Sequence, residues 1–187
     1  MTIRYQFQRL IFIGCFAGGA LFFTSCGGSH EGPSAPFGPT TSTRSITPTT
    51  SFDSCLVGRW AASRMTETII YNGLPVGVAG GGGTVITFAS DGTETVDYSH
   101  AQALTGPYGN GLYEIRESGV AVYHDGTQSG ELTFNSPDYS RFSASVSVDG
   151  TTTSAPPSGS PTPVSYQCSP TTLNQTTEVF SATYSRA

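Results

Sequence analysis

Few side chains in this sequence have the types and spacing that catalysis requires. The histidines are His30, His100 and His124. "DYSH", Asp97 to His100, and the pair His124-Asp125 place a histidine near an acid at a strand end. Neither has metal-ligand spacing, and both read as solvated turn residues. There is no G-x-S-x-G elbow to hold a nucleophilic serine. The tetraglycine Gly80–Gly83 is not followed by Gly-Lys-Ser/Thr, so it is no phosphate loop and reads as a flexible lid or hairpin. The expectation is a non-enzyme with no catalytic residue, cofactor or metal.

The cysteines carry more chemistry. Arg4 and Arg9 precede the short apolar run "LIFIGCFAGGALFF", Leu10 to Phe23. This is the anatomy of a secretory signal, and it is short for a transmembrane span. The alternative is an uncleaved anchor. The run ends in "FTSC", Phe23 to Cys26, and Gly27-Gly28. That end resembles the lipobox of bacterial lipoproteins, although Phe23 stands where leucine is usual. The resemblance implies cleavage before Cys26, a diacylglycerol (palmitate-type) anchor on its sulfur, and a place in the cell envelope outside the cytoplasm. Two or three acyl chains hold a protein firmly where one binds marginally. Cys15 leaves with the signal. Cys55 and Cys168 remain, one near each end of the folded part, and an exported pair reads as a disulfide. Two free buried thiols are the alternative.

Residues 1–25 therefore form a lipoprotein signal peptide, and residues 26–54 the lipidated cysteine and its tether. The tether is rich in Pro, Ser, Thr and Gly, holds His30, and buries too little apolar surface to order itself. Losing residues 1–25 removes two arginines and no acid, moving the net charge from −5 to −7. An acidic, lysine-free chain is a poor partner for nucleic acid or for anionic lipid heads. Its membrane contact is then the lipid anchor.

Residues 55–187 must position everything else, and their period is two. In "RFSASVSVDG", Arg141 to Gly150, Phe142, Ala144, Val146 and Val148 alternate with serines and end in an Asp-Gly turn. "TVITFASDGTETVDYS", Thr84 to Ser99, reads as a hairpin turning at Asp91-Gly92. Trp60–Tyr71, Leu112–Arg116, Val120–Tyr123, Glu131–Phe134, Val164–Cys168 and Glu178–Arg186 are further strand candidates. Asn72-Gly73, Asp125-Gly126 and Asp149-Gly150 read as turns between strands. The segments Gly73–Gly83 and Thr151–Pro163 read as long irregular connections, mobile on composition. The fold class is all-β, an antiparallel up-and-down barrel of about eight strands, with a β-sandwich as the alternative.

"GRW", Gly58 to Trp60, opens the first strand, and "TYSR", Thr183 to Arg186, closes the last. Together with the "VITFASDGTETVDYS" hairpin they resemble the lipocalin-like (calycin) barrels. The resemblance implies that Trp60 plugs the closed end and that Arg186 packs across it. With the chain ending almost at Arg186, it favours a minimal lipocalin-like domain. Read from the residues alone, Trp60 is an apolar body needing an indole partner, and ordinary core is the alternative.

Phe88, Tyr98, Tyr113, Phe134, Phe142, Tyr166, Phe180 and Tyr184 fall on faces that point inward. An eight-stranded barrel either fills with side chains or holds one small ligand. Two functions follow from these alternatives. In the first, the lipid-anchored barrel binds or carries a small hydrophobic ligand lined by these aromatics. In the second, it is a filled structural or protein-interaction module with an exposed apolar patch.

Overall fold

The computed structural model describes residues 52–157 and 162–187. The signal peptide, Cys26, His30 and the tether up to residue 51 lie outside the described residues. The strands are β1 (Gly58–Tyr71), β2 (Leu74–Gly80), β3 (Val85–Phe88), β4 (Thr93–Asp97), β5 (Leu104–Tyr108) and β6 (Gly111–Gln128). They continue with β7 (Glu131–Val148), β8 (Thr151–Ser154), β9 (Val164–Cys168), β10 (Thr172–Thr176) and β11 (Phe180–Arg186). No helix occurs among the described residues.

Every pairing is antiparallel, and eight strands close a hydrogen-bonded ring. The order is β1–β3–β4–β6–β7–β9–β10–β11 and back to β1. Apart from the skipped β2, β5 and β8, this is chain order, as in an up-and-down barrel. Closure gives one continuous enclosure in place of the two separate sheets of a sandwich. It also joins the first and last strands, with Trp60 opposite Arg186 and Ala62 opposite Tyr184.

Three long strands extend this ring into a taller wall. The start of β1 pairs with β3, while Met65–Tyr71 pair with β2. Likewise Val120–His124 of β6 pair with β4, while Gly111–Ile115 pair with β5. The β3–β4 hairpin thus fills one level between β1 and β6, and β2 with β5 fills the level beyond. β8 pairs with β7 alone and ends the wall there.

The junction between levels overturns the reading of Gly73–Gly83 as an irregular, mobile segment. Leu74–Gly80 is a strand that buries Val76 and Val78. The tetraglycine is a fixed corner, neither lid nor hairpin. Gly81 donates to the Gln102 carbonyl at 3.2 Å, Gln102 to Gly82 at 2.8 Å, and Gly83 to Ala62 at 3.1 Å. Gly80 has φ 149°, and a Cβ there would lie 2.0 Å from the Ala103 carbonyl oxygen. Only a residue without a side chain fits so close a backbone crossing.

Other boundaries shift for related reasons. Asp125-Gly126 is no turn. It lies inside β6, with Asp125 opposite Phe134, and Ser129-Gly130 turns the chain with φ of 53° and 80°. Leu112–Arg116 and Val120–Tyr123 are one strand, and Glu131–Phe134 runs on into the Arg141–Val148 strand. Thr151–Ser154, read as part of a connection, forms β8. The folded part begins before residue 55. Phe52 stacks on Phe88 with ring centroids 5.9 Å apart, and the Asp53 amide donates to Thr127 Oγ1 at 2.9 Å. Two residues of the expected tether, Phe52 and Asp53, are therefore docked on the barrel.

Candidate functional site

The end where the chain enters is built around Trp60. It is completely buried, and its indole N–H donates to the Leu56 carbonyl at 2.7 Å. The Arg186 guanidinium lies over the ring, 4.2 Å from the centroid. Its N–H groups donate to the carbonyls of Pro170 at 3.0 Å, Val57 at 2.9 Å and Cys55 at 3.2 Å. One side chain thus joins the entering segment, the β9–β10 turn and the last strand. The small residue of "GRW" has a steric reason. A Cβ on Gly58, whose φ is 131°, would lie 2.3 Å from an Arg186 terminal nitrogen.

Cys55 and Cys168 form a disulfide beside this plug, with Cα atoms 6.1 Å apart across 113 residues of sequence. Tyr166, two residues earlier on β9, donates its hydroxyl to Asp53 Oδ2 at 2.7 Å. Burial, followed by the hydrogen bond and charge of Asp53, pushes the Tyr166 phenol up to about 12. The geometry suits a lock on the entering segment.

The aromatics read as inward-facing belong to one hydrophobic core. Phe88, Tyr98, Tyr113, Phe134, Phe180 and Tyr184 are buried, while Phe142 and Tyr166 are half-buried. Ring contacts link several of them, with Tyr139 5.8 Å from both Phe142 and Tyr123. Phe88 meets Phe52 near the plug, Tyr98 meets Phe142 at 5.2 Å, and Phe134 meets Tyr123 at 5.6 Å. Tyr113 sits far up the wall against Tyr71 at 5.2 Å. Such edge contacts let aromatic rings fill a core.

The interior also holds polar groups that the alternation did not single out. Glu94 is wholly buried on β4, opposite Phe88 and Tyr123. Gln175 on β10 is almost wholly buried, and its side-chain amide makes no hydrogen bond among the described residues.

The two histidine–acid pairs sit in different settings. The Asp97 carboxylate accepts from the Ser99 hydroxyl and amide, which hold it below the usual carboxylate range. That is local turn chemistry at "DYSH". His124 is exposed in mid-strand, while Asp125 faces inward, so this pair is split across the two faces of β6 and is not a solvated turn. Among the described residues no group of three or more His, Cys, Asp or Glu could hold a metal.

A different site emerges on the outer face of the tall wall. A groove of about 500 Å³ runs across Thr66–Thr68, Gly77–Ala79 and Thr105–Pro107, and ends against the β10–β11 turn, 177–181. Register explains its small-residue floor. Ser181, Thr66, Ala79 and Thr105 form one cross-strand row, and Thr68 with Gly77 belongs to the next. A Cβ on Gly77 would meet nothing within 4 Å. Beside the groove, Ile70 is 45% and Leu112 50% exposed. Ile70 is opposite Pro75, and Leu112 is opposite Pro107. Sequence reasoning missed this site because β2 and β5 were not read as strands.

The chain matches no family model, no curated protein and no solved structure.

Proposed function

We propose that this protein is a lipid-anchored envelope module. Its barrel-like domain is a filled scaffold that meets a partner at its outer face. The observation that carries this reading is the distribution of apolar side chains. The interior aromatics pack on one another, whereas Ile70 and Leu112 stand exposed beside a groove. Exposed apolar groups gathered on one face mark an interaction surface.

The anchor rests on the sequence: the apolar run, the lipobox-like "FTSC" and Cys26. The Cys55–Cys168 disulfide fits an oxidising compartment. The entry point adds geometry. The chain joins the domain at Phe52 beside the plug, and β1 runs away from it for 14 residues, about 45 Å at strand rise. The "GRW…TYSR" geometry supports kinship with calycin barrels as part of the same proposal.

The rival function is transport of a small hydrophobic ligand inside the barrel. A fluorescent fatty acid titrated against the protein separates the two. The module reading expects no saturable quenching of Trp60 emission, and stoichiometric quenching would overturn it. The anchor has its own test. Cys26→Ser should move the protein from the membrane to the soluble fraction, and continued membrane retention would count against lipidation.

A further inference from the structure

We infer that the tips of the β1–β2 and β5–β6 hairpins enter the headgroup boundary of a zwitterionic phospholipid bilayer. This deepens the module reading and rests on it: the partner met by the exposed apolar side chains is a lipid surface. The large apolar side chains exposed among the described residues are Ile70 at 45%, Leu74 at 57% and Leu112 at 50%. All three stand within two residues of the turns Asn72-Gly73 and Gly109-Asn110. The two tips are neighbours. β2 pairs with β5, and the Tyr71 and Tyr108 rings meet edge-on at 4.9 Å.

Face, charge and size select lipid as the occupant. The apolar groups stand on both faces of the hairpins. Ile70 is opposite Pro75 and Leu112 opposite Pro107 on the outside, whereas Leu74 is opposite Tyr71 on the inward face. A protein lying against the outer face would leave Leu74 in water, but a fluid boundary surrounds a tip. Residues 68–83 and 101–113, which contain both tips, carry no Asp, Glu, Lys, Arg or His. Nothing there steers a charged partner. Just below, Glu114 pairs with Arg116. On the adjacent tip is an acid, Asp149, and a Cβ on Gly111 would strike its Oδ1. With a chain charge of −5, that acid favours neutral over anionic headgroups. Three side chains also fall far short of the about 20–30 residues a side of a stable protein interface, a second copy included. Interfacial partition needs only exposed apolar groups, and tyrosines such as Tyr71 and Tyr108 suit the headgroup level. The reach suffices. The 26 residues from Cys26 to Phe52 span at most about 90 Å, about twice the length of β1.

The test uses the full chain in phosphatidylcholine vesicles, with and without bromine on the upper acyl carbons as a contact quencher. The parent protein is the control, because its single tryptophan, Trp60, is buried at the other end and its emission should not change. Leu74→Trp and, separately, Ile70→Trp each add a reporter on one face of the same hairpin. Brominated lipid should quench the added emission of both at least two-fold. Adding Leu112→Asp to Leu74→Trp should reduce that quenching at least two-fold at unchanged melting temperature. Replacing a third of the lipid by phosphatidylglycerol should leave the quenching equal or weaker. Vesicle flotation without quenching of either reporter would overturn the tip contact and leave the anchored module standing. Quenching of one reporter alone, or stronger quenching with phosphatidylglycerol, would also overturn it. So would blue-shifted but unquenched emission that depends on protein density, which would make a second copy the occupant. Saturable fatty-acid quenching of Trp60 in the parent would instead bring down the filled-module reading beneath it.

Discussion

At the entry end of the barrel, almost every chain segment is tied to another. Arg186 alone donates to three carbonyls from two segments, the disulfide joins Cys55 to β9, and Trp60 is sealed from solvent. At the far end the hairpin tips Asn72-Gly73, Gly109-Asn110 and Asp149-Gly150 stand on a wall that β8 leaves open at one side. Its inner face is held by ring contacts among Tyr71, Tyr108 and Tyr113, and its outer face exposes Ile70 and Leu112. The contrast separates two tasks. A region that must keep the first and last strands zipped uses directional and covalent ties. A region that meets a partner keeps apolar surface and a strand edge exposed. Strand edges of that kind must be used or guarded, since they also invite aggregation.

The contrast can be broken from the entry end first. Replacing both Cys55 and Cys168 by serine should cost about 4–5 kcal/mol if loop entropy dominates, read as a fall in denaturation midpoint. A loss under 1 kcal/mol would show that the other ties suffice. Trp60→Ala should cost about 3–5 kcal/mol, against at most about 0.5 kcal/mol for Ile70→Ala at the exposed rim. Comparable losses at the two positions would erase the distinction between the ends.

Smaller effects sharpen the picture. Gln175→Leu should raise stability by about 1–2 kcal/mol, because an amide buried without a hydrogen bond is costly. Destabilisation would show that the amide has a partner in solution. Tyr166 supplies a pH signature. Its phenol is raised from an ordinary value of 10.0 to about 12, so its neutral form favours the fold. That contribution is complete below pH 10 and is lost as pH rises through about 12, because the unfolded chain ionises first. Tyr166→Phe should therefore flatten part of the alkaline stability loss in denaturation curves between those limits. An unchanged slope would mean that burial and the Asp53 hydrogen bond do not raise the phenol in solution.

Much of this fold was legible as alternation. Phe142, Ala144, Val146 and Val148 marked the face of β7 that turns inward, and the Asp91-Gly92 hairpin was plain from its turn residues. The failures share a cause. In "LPVGVAG" the alternation of Val76, Val78 and Gly80 was present, but glycines at close backbone crossings have the same composition as a loose loop. Asp125-Gly126 has turn chemistry, yet Ser129-Gly130 turns the chain. Such a choice depends on which register lets β6 and β7 pair along their whole length. The candidate site was largely hidden, because its floor is the absence of side chains on strands that were not recognised.

By itself the sequence determined the all-β class and the inward face of most long strands. These depend on local period and on residue chemistry, which neighbours far along the chain do not alter. Tertiary structure alone decided that eight strands close a ring, that Arg186 lies over Trp60, and that small residues from β1, β2 and β5 line up into one groove. Those features arise from register between segments up to 131 residues apart, and no local pattern encodes that register.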